Sequence, residues 1–240
     1  MRRDHRPFWF KQILARLNHW YSHHHVRPHF DALGEGARFL APRTLQVNGP
    51  NIKAGRFLHL ISAANKPVKL TTWGDKSHQG EITIGDYCLI APGVEITSMV
   101  KINIGDNCML AADVLIHDSD WHGLYNRLRP FRCNAAVTLG NNVWIGTRAI
   151  ITKGISIGEN SVIGAGSVVT KDIPANCVAA GNPAKVVKQL NPNRRMLTRA
   201  FLFKDGDQYW QQQSDIDAYF TLDNSTVGWL RSWVRPTAED

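Results

Sequence analysis

Aliphatic residues return at every sixth position along much of the chain, and glycine often follows them directly. The later run comprises Leu139, Ile145, Ile151, Ile157, Ile163 and Val169. The earlier run comprises Ile84, Ile90, Ile96 and Ile102, and it resumes two residues out of phase at Ile104, Leu110 and Ile116. A period of six fits neither the repeat of an α-helix nor the alternation of a single strand.

The six-residue period predicts short strands separated by sharp corners. Three such segments make one triangular coil, in which the aliphatic residue points inward and a small or turn-forming residue follows at the bend. Stacked coils bury a continuous aliphatic column, and their backbone hydrogen bonds run from coil to coil. The sequence therefore predicts an all-β solenoid, a parallel β-helix, over residues 45–190.

The segments outside the solenoid have a different pattern. Residues 1–44 are predicted to contain a basic amphipathic helix and a linker, because apolar residues between Phe10 and Tyr21 recur on one helical face. This helix either docks on the end of the solenoid or lies on a membrane surface. Residues 191–240 are predicted to form a helical tail. No apolar run is long enough for a membrane-spanning helix, which needs about 18 residues.

One long loop, residues 117–138, interrupts the repeat. Loops longer than about 12–15 residues in a compact fold are usually functional or disordered. This loop holds two histidines and two aspartates close together: His117, Asp118, Asp120 and His122. Histidine is the natural general base near neutral pH, and a neighbouring aspartate can orient its imidazole. The loop is therefore the predicted site of chemistry.

The charge and the cysteines narrow the possible partners. The net charge of +8 favours anionic partners such as phosphorylated small molecules, acidic lipids or nucleic acid. No stacking platform or groove-reading motif is visible, so we do not expect nucleic-acid binding. The four cysteines form no CxxC pair and match no zinc spacing, which favours a reduced, cytoplasmic protein. Peripheral contact with the inner membrane face through the N-terminal helix is the alternative location.

The residues from about 82 to 188 closely resemble the hexapeptide acyltransferases, in the branch of maltose and galactoside O-acetyltransferases. The resemblance is carried by IGDYCLIAPGVEI, by GNNVWIGTRAIITKGISIGENSVIGAGSVVTKDIPANCVAAGNPAKVV, and by the His-Gly pair in the loop. It implies a left-handed β-helix and a homotrimer whose active sites lie between adjacent subunits. It also implies acetyl-CoA as the acyl donor and no metal.

The resemblance further implies roles for individual residues. His122, which Gly123 follows, matches the family's catalytic histidine, and His117 is its rival. Asp118 or Asp120 would orient the imidazole. The positions that match the family's CoA-binding residues or lie near its cleft are Thr147, Ala165, Thr170, Lys171, Lys185, Lys188 and Trp144.

The expected function is O-acyl transfer, with acetyl as the expected group, from acyl-CoA to a hydroxyl of a sugar or glycan. Cell-surface polysaccharide or lipopolysaccharide modification would be one setting. Two alternatives stay open. The first is a metal enzyme similar to the γ-carbonic anhydrases, with His117, His122 and either His59 or His78 as zinc ligands. The second is a solenoid scaffold without catalytic activity.

Overall fold

A computed structural model describes residues 4–74, 79–128 and 133–237. The chain divides into two compact units. The first unit is the segment Tyr21–Phe201, and the second joins the N-terminal residues up to Trp20 with the C-terminal residues from Leu202 onward. The candidate chemistry lies entirely in the first unit.

The first unit is a β-helix of three sheets, because each coil contributes one strand to each sheet in turn. Sheet 1 contains β1 (Ala32–Leu33), β4 (Ile52–Ala54), β7 (Ile82–Ile84), β10 (Ile102–Ile104), β13 (Val137–Leu139) and β16 (Ser156–Ile157). Sheet 2 contains β2 (Arg38–Leu40), β5 (His59–Ile61), β8 (Leu89–Ile90), β11 (Met109–Leu110), β14 (Trp144–Ile145), β17 (Val162–Ile163), β19 (Cys177–Gly181) and β20 (Ala184–Gln189). Sheet 3 contains β3 (Gln46–Asn48), β6 (Lys69–Thr72), β9 (Glu95–Ser98), β12 (Leu115–His117), β15 (Ile150–Ile151) and β18 (Val168–Val169).

Neighbouring strands pair in parallel and in register, except that β20 turns back and pairs antiparallel with β19. The residues of the predicted aliphatic column, from Ile84 to Val169, are all buried, with no more than 2% of any of them exposed. The first strand begins at Ala32, earlier than residue 45, where the sequence pattern places the first coil. The hexapeptide rhythm is degenerate there, but Ala32 and Leu33 still pair with β4.

Close stacking of the coils explains the residues at the corners. A Cβ atom on Gly146 would lie 2.6 Å from the backbone nitrogen of Ala165 in the next coil, so only glycine fits. At the edge between sheets 1 and 2, asparagines take the left-handed conformation that this residue tolerates best among non-glycine residues. They are Asn107, Asn142, Asn160 and Asn176, with φ between 55° and 62°.

After β20 the chain returns along this same edge, as a segment that we call the return segment (residues 190–201). The backbone N–H of Leu190 donates to the carbonyl of Asn176, and that of Ala200 donates to Oδ1 of Asn107. Arg199 Nε donates to the carbonyl oxygen of Tyr87 at 2.9 Å. Burial, together with the positive charge of Arg199, lowers the pKa of His59 from 6.5 to about 4.

The second unit contains α1 (Phe8–Tyr21, of which Tyr21 belongs to the first unit), α2 (Gln208–Phe220) and α3 (Thr226–Val234). The ring centroids of Phe10 and Trp229 are 4.4 Å apart, and Nζ of Lys11 lies 3.2 Å from Oδ1 of Asp217. The N-terminal helix therefore has the C-terminal helices as its partners within this unit. In the part of the chain that the structure describes, no helix has the length and apolar character needed to cross a membrane.

Shorter helical segments complete the chain. Three are 3₁₀ helices, namely Arg27–His29, Pro42–Thr44 and Arg199–Phe203. The fourth, Ser22–Val26, is a π-helical turn that follows α1.

A buried carboxylate holds the longer corner between β9 and β10, where the sequence repeat shifts by two residues. Asp118 has no exposed surface. Its two oxygens accept hydrogen bonds of 2.7–2.8 Å from the hydroxyl of Ser98 and from three consecutive backbone N–H groups, those of residues 99–101. Buried N–H groups need an acceptor, and Asp118 supplies one to each of the three N–H groups of this longer corner.

Replacing Asp118 with asparagine should lower the free energy of unfolding of the β-helix by about 3 kcal/mol, because an amide removes the charge and turns a donor toward buried N–H groups. Chemical denaturation measures this change. Asp113→Asn, at a partly exposed ion pair with Lys66, is the matched control and should leave the transition nearly unchanged. Equal effects of the two substitutions would contradict the role assigned to Asp118.

His59 predicts a pH dependence of stability. Its folded-state pKa of about 4 lies below the unfolded value of 6.5. Between these two pH values the unfolded chain therefore binds a proton at His59 that the folded chain does not bind. Stability should therefore fall as the pH drops from 6.5 toward 4, by up to about 1 kcal/mol per pH unit. Denaturation at a series of pH values should show a shallower loss for His59→Gln. Parallel pH profiles for the two proteins would refute this explanation.

Candidate functional site

The long loop leaves the β-helix at the edge between sheets 3 and 1, which we call the loop edge. Among the described residues, the loop edge contains the connections that follow β6, β9, β12, β15 and β18, namely residues 73–74 and 79–81, 99–101, 118–128 and 133–136, 152–155, and 170–172. Each connection lies above the previous one because the strands on both sides are in register. Residues that are far apart in the sequence therefore meet at this edge.

Both ends of the long loop are tied together at its base. The backbone N–H of Ala135 donates to the carbonyl of Asp118, and that of Asp120 donates to the carbonyl of Cys133. The hydroxyl of Ser119 donates to Oδ1 of Asn134 at 2.6 Å. This short antiparallel base fixes where the loop begins and ends, so its histidine is presented from a defined position.

His122 lies exposed on this loop. Its Nδ1 is 2.8 Å from the carbonyl oxygen of Arg127. A carbonyl oxygen can only accept, so Nδ1 carries the proton and Nε2 of the neutral ring keeps a free lone pair. The backbone N–H of His122 also donates to the carbonyl of Asp120 at 2.8 Å. The imidazole is thus held in the tautomer that a general base requires.

His117, the rival candidate, ends β12 and is partly exposed on sheet 3. Its Nδ1 is 3.0 Å from the carbonyl oxygen of Ser119, so the same argument leaves its Nε2 as the acceptor. The two histidines differ in position rather than in tautomer. His117 lies in the register of the sheet, opposite Thr97, whereas His122 lies on the projecting loop.

The two aspartates have other partners than the imidazoles. Asp118 is buried and bound to the corner at residues 99–101. Asp120 forms an ion pair with Lys153, which lies in the next connection of the loop edge. In this structure the orienting partner of each imidazole is therefore a backbone carbonyl. The sequence pattern did not single out Lys153, although an alignment of successive coils places this residue beside the loop.

The residues predicted to bind CoA lie in three places. Thr170 and Lys171 are exposed on the loop edge, after β18. Thr147 and Ala165 are exposed at the edge between sheets 2 and 3, in consecutive coils, where the N–H of Gly166 donates to the carbonyl of Thr147. The remaining three lie on sheet 2, where 48% of Trp144 is exposed on β14 and both lysines are exposed on β20: Trp144, Lys185 and Lys188.

This distribution follows from the triangular cross-section. Sheet 2 is the face opposite the loop edge, because the loop edge joins the other two sheets. A single β-helix therefore cannot bring His122 on the loop edge into one cleft with Trp144 on sheet 2. A second copy of the chain can do so if its sheet 2 faces this loop edge.

The described residues give little support to the metal-enzyme alternative. Within residues 4–74, 79–128 and 133–237 no cluster of three histidine, cysteine or carboxylate side chains could hold a metal ion. His59 lies on β5 of sheet 2, away from the loop edge that carries His117 and His122. His78, the other predicted ligand, lies outside the described residues.

Comparison with known proteins places the chain in a family. The family model of the bacterial transferase hexapeptide (six repeats) matches residues 136–171. Galactoside O-acetyltransferase of Escherichia coli K12 is 39% identical over 182 residues, which cover 75% of this chain and 72% of the relative. Polysialic acid O-acetyltransferase of Escherichia coli O1:K1 is 42% identical over 112 residues, which cover 45% of this chain and 36% of the relative.

The crystal structure of a maltose O-acetyltransferase from Clostridium difficile 630 matches with 32% identity and a TM-score of 0.43, and the match covers 67% of each chain. The repeat, the three parallel sheets and the extent of the match to galactoside O-acetyltransferase lead to one assignment. The chain belongs to the hexapeptide-repeat acyltransferases, in the branch of the galactoside and maltose O-acetyltransferases.

Proposed function

We propose that this protein transfers an acetyl group from acetyl-CoA to a hydroxyl of a sugar or glycan, with His122 as the general base. The observation that supports this most directly is the hydrogen bond from Nδ1 of His122 to the carbonyl of Arg127, which leaves Nε2 free on an exposed ring. A sugar acceptor is supported by the relatives, whose names specify galactoside, polysialic acid and maltose.

The proposed reaction is a direct transfer. Nε2 of His122 accepts the proton of the acceptor hydroxyl while the hydroxyl oxygen attacks the thioester carbonyl carbon of acetyl-CoA. The tetrahedral intermediate collapses, the carbon–sulfur bond breaks, and the thiolate of CoA takes the proton back from the imidazolium. The products are an acetyl ester and CoA. The carbonyl of Arg127 stabilises the imidazolium, because it accepts a stronger hydrogen bond from the charged ring.

Donor binding is assigned to three exposed lysines and two small residues. Lys171, Lys185 and Lys188 carry positive charges suited to the phosphates of CoA. Thr147 and Ala165 offer small side chains, along which a pantetheine arm can approach the backbone. Trp144, on sheet 2, would line the same cleft.

The active site is proposed to lie between two copies of the chain in a homotrimer, each a left-handed β-helix. Sheet 2, with Trp144 and two of the lysines, is opposite the loop edge of its own chain. The projecting part of the loop is also strongly exposed, with 85% of Leu124 and 95% of Leu128 accessible in the single chain. A neighbouring copy whose sheet 2 faces this loop would cover these side chains and complete the cleft.

Replacing His122 or Lys171 with alanine should separate chemistry from donor binding. His122→Ala should lower kcat by about 10²- to 10⁴-fold while acetyl-CoA binds with its usual Kd, because the base acts on the acceptor. Lys171→Ala should raise the Kd for acetyl-CoA about tenfold, because a charged contact to phosphate is lost. Titration calorimetry measures the Kd, and release of CoA in the presence of maltose and methyl β-D-galactopyranoside measures turnover.

Two control variants make these experiments decisive. Lys53→Ala removes one exposed positive charge from sheet 1 and should not change the Kd for acetyl-CoA. His117→Ala decides between the two histidines, since a loss of kcat there and not in His122→Ala would move the base to His117. Failure of the wild-type protein to bind acetyl-CoA at millimolar concentration would overturn the proposed function.

Light scattering should give a mass three times the chain mass of 26.9 kDa, because one chain holds only part of the site. Leu124→Glu and Leu128→Glu together should shift this mass toward the monomer, since charged side chains would then face the covered interface. A stable wild-type monomer at micromolar concentration would rule out the shared site.

A further inference from the structure

Two tryptophans meet beside the candidate base on the loop edge. Trp73 directly follows β6, and Trp121 directly precedes His122. Their ring centroids are 6.0 Å apart and their planes are inclined at 83°. The rings stay open to solvent, since 55% of Trp73 and 38% of Trp121 is exposed. Tryptophan is enriched at binding interfaces, where a partner or ligand covers its large apolar ring.

The backbone under Trp121 is held in an unfavourable conformation. Its φ is 64°, which is rare for a bulky residue. The base of the loop keeps it there, because its N–H donates to the hydroxyl of Ser119 at 2.9 Å and that hydroxyl donates to Asn134. Such conformations persist only where the surroundings impose them, and they concentrate at functional sites.

The repeat does not account for this conformation. Left-handed residues recur at the corners of the coils, as at Tyr87 and Asn107 between sheets 1 and 2 and at Asn51 between sheets 3 and 1. Trp121 lies outside these corners, within the long loop. Its left-handed conformation is therefore a property of the loop, in which it directly precedes His122.

Trp73 is fixed from the other side. Its backbone N–H donates to the carbonyl of Ser98 at 2.8 Å, and its own carbonyl accepts from the N–H of Gly80. Ser98 is buried and also donates its hydroxyl to Asp118. Both indoles are thus attached to rigid backbone, which lowers the entropy lost when a ligand stacks on them.

We propose that Trp73 and Trp121 form an aromatic platform that binds the pyranose ring of the acceptor, an inference that rests on the proposed function. A pyranose has an apolar face of C–H groups that stacks on indole, and hydroxyls around its rim. Trp121 and His122 are consecutive residues whose Cα atoms are about 3.8 Å apart, so the proposed platform and the candidate base belong to the same short stretch of the loop. Binding on the platform thereby sets which hydroxyl meets Nε2 of His122.

The test uses the full-length protein and three variants. Trp121→Asn removes the indole but suits the left-handed backbone, because asparagine tolerates positive φ. Trp73→Leu removes the second ring. Trp233→Leu, at a tryptophan that is 64% exposed in the helical unit, is the matched control. Steady-state kinetics with maltose and with methyl β-D-galactopyranoside give KM for the acceptor, and calorimetry gives the Kd for acetyl-CoA.

We expect Trp121→Asn and Trp73→Leu each to raise the acceptor KM about tenfold and to leave the Kd for acetyl-CoA unchanged. Trp233→Leu should match wild type. Saturation-transfer NMR should show the sugar C–H protons in contact with wild-type protein, with weaker transfer in both platform variants. The thermal transition of Trp121→Asn should not fall, since asparagine relieves backbone strain.

Other outcomes overturn the platform. Unchanged acceptor KM in both variants, or a fall in thermal stability with parallel losses in donor and acceptor binding, would show that the pair only packs two loops together. If wild type binds acetyl-CoA and neither sugar contacts the protein, the platform fails while the donor assignment stands. If the sugars contact both tryptophans but acetyl-CoA does not bind, the proposed function fails and the platform survives.

Discussion

The hydrogen-bond ladder from coil to coil is the constraint on which the rest of the structure depends. Each strand inside a sheet pairs with a strand on either side, almost always from the coils before and after it, so each coil must lie directly above the previous one. Extra residues can be inserted only at the edges of the triangular cross-section, where one sheet ends and the next begins. The long loop is inserted between β12 and β13, and the strands on either side keep their register with β10 and β15.

The same constraint separates the parts of the candidate site. A rigid prism places Trp144, Lys185 and Lys188 on the face opposite the edge that carries His122. Flexible folds can bend two such regions together, but a solenoid whose backbone donors are paired between coils cannot. If these residues form one site, as proposed, that site would be complete only when one chain lies beside another, and assembly would be part of the proposed chemistry.

Buried polar groups on the loop edge show how the exception to the repeat is stabilised. The repeat shifts by two residues before Ile104, and the resulting corner contains three N–H groups that donate to a side chain rather than to a backbone carbonyl of a neighbouring coil. Asp118, one coil later, accepts all three with its carboxylate. The first residues of the long loop thus act on the preceding corner, while the following ones, from Ser119 to His122, build the base of the loop and present the candidate imidazole.

The amino-acid sequence by itself determined the coils, the inward column from Ile84 to Val169 and the place of the loop, because a period of six is a local property that every coil repeats. Tertiary structure alone decided the partners of Asp118, Asp120 and Trp121. Asp118 binds Ser98 and the preceding corner at residues 99–101, Asp120 pairs with Lys153, and Trp121 contacts Trp73. Each partner comes from another coil at the same edge. Such contacts depend on which corners lie above one another, and the two-residue shift and the loop insertion hide that alignment from the sequence.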